Sequence, residues 1–81
     1  MELHDTINMM TSDDYKERFK AEYYQAEIRY NKLEAMLDKW DKGELGFEPT
    51  CSKALLEVQM YVMGEYLAIL KQRAKFEDIE I

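Results

Sequence analysis

The stretch DKGELGFEPT, residues 41–50, decides the fold of this chain, because it holds nearly all of the residues that interrupt helices. Gly43, Gly46 and Pro49 lie in it, and Gly64 is the only other glycine. Glycine and proline both break helices, so the stretch predicts a connection between two elements. We therefore expect one long helix over residues 12–42, a connection over 43–50 and a second long helix over 51–76.

The segment before this connection has the apolar spacing of an amphipathic helix. Intervals of four and three alternate, which places the apolar residues on one face of a helix. Asp14, Arg18 and Glu22 lie four apart and predict ion pairs on the opposite, solvated face. The apolar positions are Phe19, Tyr23, Ala26, Tyr30, Leu33, Leu37 and Trp40.

The segment after the connection carries two apolar stripes rather than one. A helix that packs on a single neighbour needs only one stripe, so the second predicts another contact surface. The first stripe comprises Leu56, Met60, Met63, Leu67, Leu70 and Ala74. The second, which we predict to be an interface, comprises Leu55, Val58, Val62 and Ile69.

Polar residues and one glycine mark the expected helix ends. Thr11 or Ser12 can cap the first long helix, since their hydroxyl groups accept hydrogen bonds from free backbone N–H groups. Thr50 or Ser52 can cap the second helix in the same way. Gly43 suits the end of the first, where a left-handed backbone is common.

Both ends of the chain contain apolar residues of their own. Leu3, Ile7 and Met10 are spaced i, i+4 and i+7 and predict a short helix over residues 2–10 that packs on the long helices. The tail, residues 77–81, contains two isoleucines and is expected to fold back as an extended segment.

Together these features predict an all-α protein in which residues 1–81 form one domain. A short N-terminal helix precedes a long antiparallel helical hairpin. At 81 residues the chain buries little surface on its own. Because two helices cannot enclose a core on all sides, we expect the hairpin to self-associate into a helical oligomer.

Composition restricts the function classes. The formal net charge of −6 at pH 7 argues against broad binding to nucleic-acid duplexes, which uses many cationic contacts. The N-terminus has no apolar run of signal-peptide length, and no segment approaches the roughly 20 apolar residues of a membrane span. Cys51 is the only cysteine, so no disulfide forms within the chain. We expect a soluble intracellular protein.

Residues that carry catalytic chemistry are scarce. His4 is the only histidine, so no histidine pair for a metal exists, and no Cys-x-x-Cys motif is present. There is no glycine-rich phosphate loop and no calcium loop. We therefore expect no catalytic residues, no metal, no cofactor and no enzymatic activity.

The candidate ligand site combines aromatic and polar residues of both long helices. Aromatic rings can stack bases and cations can hold phosphates. We expect two or more copies to meet along these helices and to line a pocket at their seam, because oligomer interfaces create clefts that a single hairpin lacks. The structural alternative is that the tyrosines only pack, with Arg73 paired to Glu77 and Arg29 paired to a carboxylate of a facing helix. The candidates are Tyr15, Lys16, Phe19, Lys20, Tyr23, Arg29, Gln59, Tyr66 and Arg73.

The chain also resembles a known family over nearly its whole length. The ordered strings DYKERFKAEYYQ, IRYNKLEAML, FEPTCS, ALLEVQMYVMGEYLAILKQRA and EDIEI carry the resemblance. They are similar to a small helical family of bacteriophages and of prophages of gut Firmicutes, named after an open reading frame of a crAss-like phage. The family has a proline where this chain has Ser52, and often a glycine where it has Asp78.

The resemblance implies a phage accessory protein that acts in the bacterial cytosol, and small helical phage proteins often counter host defence. One such group forms helical oligomers that sequester cyclic nucleotide signals, and it looks similar in outline to the predicted fold. Sequestration of a cyclic nucleotide is therefore the leading expectation. The alternatives are an interaction module that binds and inhibits a host defence protein, and a purely structural helical oligomer.

Overall fold

The computed structural model describes all residues from Met1 to Ile81, and every regular element in it is helical. A 3₁₀ turn over Leu3–Thr6 leads directly into a one-turn helix α1, Ile7–Met10. Helix α2 spans Tyr15–Asp41, and helix α3 spans Lys53–Phe76. The all-α fold class is thus confirmed. None of the helices combines the length and the apolarity that crossing a lipid bilayer requires.

Both long helices begin slightly later than the sequence suggested. Helix α2 is capped by Asp14, whose side chain accepts from the backbone N–H of Lys16, so the prediction of Thr11 or Ser12 as the cap was wrong. Ser12 instead accepts from the N–H of Asp14 at 3.1 Å and shapes the turn before the helix. Helix α3 is capped by Ser52, one of the two predicted residues, through the N–H of Leu55.

Each long helix is followed, two residues after its end, by a residue with a left-handed backbone. Gly43 has φ +71° and follows α2, with backbone hydrogen bonds from Gly43 to Trp40 and from Glu44 to Lys39 that complete the C-cap. After α3, Asp78 has φ +58° and the N–H of Ile79 bonds to the carbonyl of Ala74 at 2.8 Å. The tail therefore begins as a helix C-cap rather than as the expected extended segment, and residues 79–81 belong to no regular element.

The core lies between α2 and α3 and is small. Its buried members are Phe19, Tyr23, Leu67, Leu70, Ala74 and Ile79. Ile79 is 7% exposed, so the tail closes one end of the core. Only nine of 81 residues are buried, which leaves a single copy with little apolar stabilisation.

Contacts between the long helices run in reverse order along the chain. Tyr15, at the start of α2, contacts Glu77 at the end of α3, and Tyr30 packs 3.5 Å from the site of a Cβ on Gly64. At the other end of the pair, Asp41 forms an ion pair with Lys53. A Cβ at Gly64 would meet the Tyr30 ring at an ordinary van der Waals distance.

The N-terminal segment docks on α2 through a polar residue. Thr6 is fully buried; its hydroxyl donates to the carbonyl of Leu3 at 2.7 Å and accepts from the side chain of Gln25 at 2.8 Å. Of the residues predicted to pack, Leu3 is half-buried, but Ile7 and Met10 are about half exposed. The apolar spacing alone was therefore a poor guide to how this segment docks.

Candidate functional site

An open cleft lies where the start of α2 meets the end of α3. It has a volume of about 200 Å³ and is lined by Tyr15, Arg18, Phe19, Glu22 and Arg73. We call it the aromatic cleft. The guanidinium carbon of Arg73 lies 4.8 Å from the centre of the Phe19 ring, which is cation–π geometry. Two guanidinium groups and two aromatic rings thus share one small surface.

Glu77 already neutralises Arg73, one of the two cations of the aromatic cleft. Its carboxylate accepts two hydrogen bonds from Arg73, at 2.8 and 3.3 Å, and one from the hydroxyl of Tyr15 at 3.1 Å. The bond from Arg73 holds the pKa of Glu77 below its usual range, and the same pair raises the pKa of Arg73. The bond to Glu77 also raises the pKa of Tyr15.

A second open groove runs along α2 next to this cleft. Its volume is about 330 Å³, and its lining includes Met10, Arg18, Gln25, Arg29 and Tyr66. We call it the arginine groove. Arg18 and Arg29 lie eleven residues apart on α2, which is three helical turns and about 16 Å along one face. Residues of all three helices therefore contribute to the groove.

The two arginines of the groove differ in their pairing. Arg18 donates to the backbone carbonyl of Ser12 at 2.7 Å and forms no ion pair. Arg29 is exposed and has neither a hydrogen-bond partner nor an ion pair. The predicted pairs of Arg18 with Asp14 and Glu22 do not form, since Asp14 caps the helix and Glu22 accepts from the hydroxyl of Tyr66. Two guanidinium groups thus remain without a carboxylate.

The aromatic cleft and the arginine groove form one continuous surface. Arg18 and Glu22 line both, and Tyr66 reaches Glu22 from α3. Guanidinium groups recognise phosphates by paired hydrogen bonds, and aromatic rings stack on bases. No cluster of three or more His, Cys, Asp or Glu lies where it could hold a metal. The arrangement suits binding of a small anion with a planar group.

The structure gathers five of the nine candidate residues on this surface. Tyr15, Phe19 and Arg73 line the aromatic cleft, and Arg29 and Tyr66 line the arginine groove. The expected internal pair between Arg73 and Glu77 is present. The expected carboxylate partner of Arg29 is not.

The other four candidates lie elsewhere. Lys16 donates to the backbone carbonyl of Asp78 at 3.1 Å and so holds the tail, and Lys20 pairs with Glu17 at 3.7 Å. Tyr23 is buried in the core, where loss of solvation and a hydrogen bond to Glu27 raise its pKa to about 12. Gln59 is exposed on α3, with only a 3.8 Å contact to the sulfur of Met63.

Arg18 was not among the sequence candidates, although it lies in both depressions. Its four-residue spacing from two carboxylates made it look like an ordinary surface ion-pair partner. The signal that could have found it is its eleven-residue spacing from Arg29, because residues eleven apart lie on the same face of a helix.

The predicted interface residues are not covered within one copy. Leu55, Val58, Val62 and Ile69 are each 56–59% exposed, while the first stripe faces α2 and includes the buried Leu67, Leu70 and Ala74. These exposed residues lie next to the candidate site. Tyr66, which lines the arginine groove, follows Val62 by four positions and precedes Ile69 by three, so it lies on the same face of α3 as they do.

Comparisons with known proteins give one match. Searches of curated proteins and of solved structures found none. The model of the Sequestin family matches residues 13–76, which include α2, the connection and all of α3. The matched residues also include every lining residue of the aromatic cleft, and those of the arginine groove except for Met10. Since the match spans well over half of the chain, the protein belongs to the Sequestin family.

Proposed function

We propose that this protein binds and sequesters a small cyclic nucleotide, without turning it over, and that it does so as an oligomer. In this proposal it is a phage accessory protein that acts in the cytosol of the bacterial host and removes a signal used in host defence. The single observation that carries the proposal is the continuous surface with three arginines and the rings of Tyr15, Phe19 and Tyr66. The family name, Sequestin, denotes sequestering and points the same way.

The roles of the residues follow from their chemistry. Arg18 and Arg29 have no carboxylate partner and would bind phosphate oxygens. Tyr15 and Tyr66, 47% and 40% exposed, would stack on a base. Phe19 is buried beneath Arg73, so it would orient that guanidinium rather than stack on the ligand itself. An antiparallel hairpin, which the reversed order of helix contacts supports, would hold these groups in fixed positions.

The first experiment is a thermal-shift screen of the purified protein against cyclic di- and trinucleotides, cyclic mononucleotides and cyclic ADP-ribose isomers. A ligand at 100 times its dissociation constant adds about 2.7 kcal/mol of stability per site. We expect one compound class to raise the melting temperature and to be recovered unchanged after release from the protein. No shift across the panel, with the protein folded, would contradict the proposal.

Matched variants test the site itself. Arg29→Ala and Arg73→Ala each remove one guanidinium group, and both should weaken binding at least tenfold by calorimetry. Lys20→Ala is the control, because it removes one positive charge from the same region of the molecule but from outside both depressions. Equal loss in all three variants would indicate a general charge effect and contradict the proposed surface.

A second candidate function rests on α3. The exposed stripe with Leu55, Val58, Val62 and Ile69 could dock on a host defence protein and inhibit it. On this alternative, Val62→Asp abolishes inhibition of the host protein while Arg29→Ala does not. The sequestration proposal predicts that Arg29→Ala abolishes activity against host defence.

A further inference from the structure

One face of α3 is apolar and exposed. We call it the α3 stripe: Leu55, Val58, Val62, Tyr66 and Ile69. Each of these side chains is 40–59% exposed, and Tyr61 beside them is 70% exposed. A different face of α3, with Leu67, Leu70 and Ala74, packs against α2 and leaves the stripe largely uncovered within one copy.

The area of the α3 stripe fits a protein partner. At roughly 100 Å² of exposed surface for each large side chain, the stripe and Tyr61 present on the order of 600 Å². A stable interface buries about 800 Å² per partner, which this patch reaches with a polar rim. A single copy buries nine residues, so covering the stripe would add a large fraction to its apolar burial.

The spacing of residues in the α3 stripe lets two copies of the stripe pair with opposite chain directions. Successive members are three, four, four and three residues apart, and this order reads the same in both directions. When two copies of α3 meet with opposite directions, Leu55 therefore faces Ile69 of the second copy and Val58 faces its Tyr66. Val62 faces Val62 on the two-fold axis. Every level of the contact is then filled by two large apolar side chains.

The exposed aromatic rings at the two ends of α3 favour the same direction. Phe76, at the end of α3, is 90% exposed, and Phe47, in the connection before α3, is 59% exposed. Opposed directions bring Phe76 of one copy towards Phe47 of the other. A parallel arrangement would instead leave the two rings at opposite ends of the contact.

We infer that the α3 stripe is the interface with a second copy of this chain, in an antiparallel two-fold arrangement centred on Val62. Tyr66 belongs both to the stripe and to the arginine groove, so the grooves of the two copies adjoin the seam. The inference extends the proposed function by naming the face through which copies meet. Its test uses no ligand, so the assembly and the ligand can fail independently.

Cysteine crosslinking tests both the interface and its direction. All variants carry Cys51→Ser, because Cys51 is an exposed thiol. Val62→Cys should form a covalent dimer on mild oxidation, since a disulfide needs its Cα atoms within about 7 Å. The double variant Leu55→Cys/Ile69→Cys should crosslink as well. Leu55→Cys alone should not, because Leu55 lies about 21 Å along the axis from its counterpart in the second copy.

Controls separate specific pairing from chance collision. Glu34→Cys places a thiol at an exposed position of α2 and should remain largely monomeric. Val62→Asp should convert the protein to a monomer by light scattering while its helical circular dichroism is retained. A covalent dimer with Leu55→Cys alone would overturn the antiparallel direction. Crosslinking of Val62→Cys no faster than Glu34→Cys, or an intact oligomer with Val62→Asp, would overturn the interface.

Discussion

Asp78 adopts a left-handed backbone, with φ +58°, at the C-cap of α3. Such a backbone strains any residue with a Cβ, although Asp tolerates it better than most, and glycine adopts it freely. We expect Asp78→Gly to raise the free energy of unfolding by about 0.5–1 kcal/mol, or the melting temperature by several degrees. Thermal denaturation at fixed protein concentration measures this.

Gly43 allows the reverse substitution, in which a Cβ is added to a residue that has a left-handed backbone. It has φ +71°, and a Cβ there would meet no atom within 4 Å, so any loss of stability reflects the backbone alone. Gly43→Ala should lower the free energy of unfolding by about 1 kcal/mol. A stability change of the same sign in Asp78→Gly and Gly43→Ala would contradict this account.

Tyr23 couples the stability of the protein to alkaline pH. Burial raises its pKa to about 12 from 10.0, so the folded state keeps the phenol proton longer than the unfolded state does. Its contribution is fully present below pH 10 and is lost as the pH rises towards 12. Chemical denaturation should show the free energy of unfolding falling over that range. Tyr23→Phe should make the fall shallower, and an equal slope in the variant would exclude Tyr23 as its cause.

At the scale of elements, the sequence predicted helix ends better than helix starts. Gly43 marks the end of α2 unambiguously, because few other residue types suit a left-handed C-cap. The start of α2 is ambiguous, since Thr11, Ser12, Asp13 and Asp14 all have side chains that can cap a helix. Asp14 does so, and α2 begins at Tyr15. The choice depends on how the chain arrives from α1, where the buried Thr6 sets the path, and no local pattern records that contact.

Ser52 and Thr50 offer a matched pair for testing a cap. The Ser52 hydroxyl accepts from the N–H of Leu55 at 3.2 Å, while Thr50 is exposed and lies outside α3. Ser52→Ala should cost about 1 kcal/mol of unfolding free energy. Thr50→Ala should change the stability by less than about 0.5 kcal/mol, as surface substitutions commonly do. Similar losses in both would mean that the cap has shifted.

At the scale of the whole molecule, one copy is elongated, with extents of 43 × 24 × 17 Å and a small core. If copies meet through the α3 stripe, folding and association are linked, and the melting temperature depends on protein concentration. We expect it to rise when the concentration is increased a hundredfold. In Val62→Asp it should be lower and independent of concentration, and a concentration-dependent value in that variant would contradict the linkage.

The candidate site was predictable from the sequence only in part, because it depends on contacts between segments that are distant in the chain. Residue type identified Tyr15, Phe19, Arg29, Tyr66 and Arg73, which the fold gathers on one surface. Lys16 and Lys20 have the same chemistry, but the tail and Glu17 engage them. Which cation stays free depends on contacts between distant segments, such as the tail against α2. Sequence spacing within one helix does not encode those contacts.

The pairing of Arg73 with Glu77 has a consequence for how binding would respond to salt. An anion that binds Arg73 must displace a resident carboxylate, so the step resembles ion exchange and changes the local charge little. An anion that enters the arginine groove meets Arg29 unpaired. Added salt should therefore weaken the contribution of Arg29 strongly and that of Arg73 only slightly. The two depressions of one surface would thus differ in ionic-strength dependence although both use guanidinium groups.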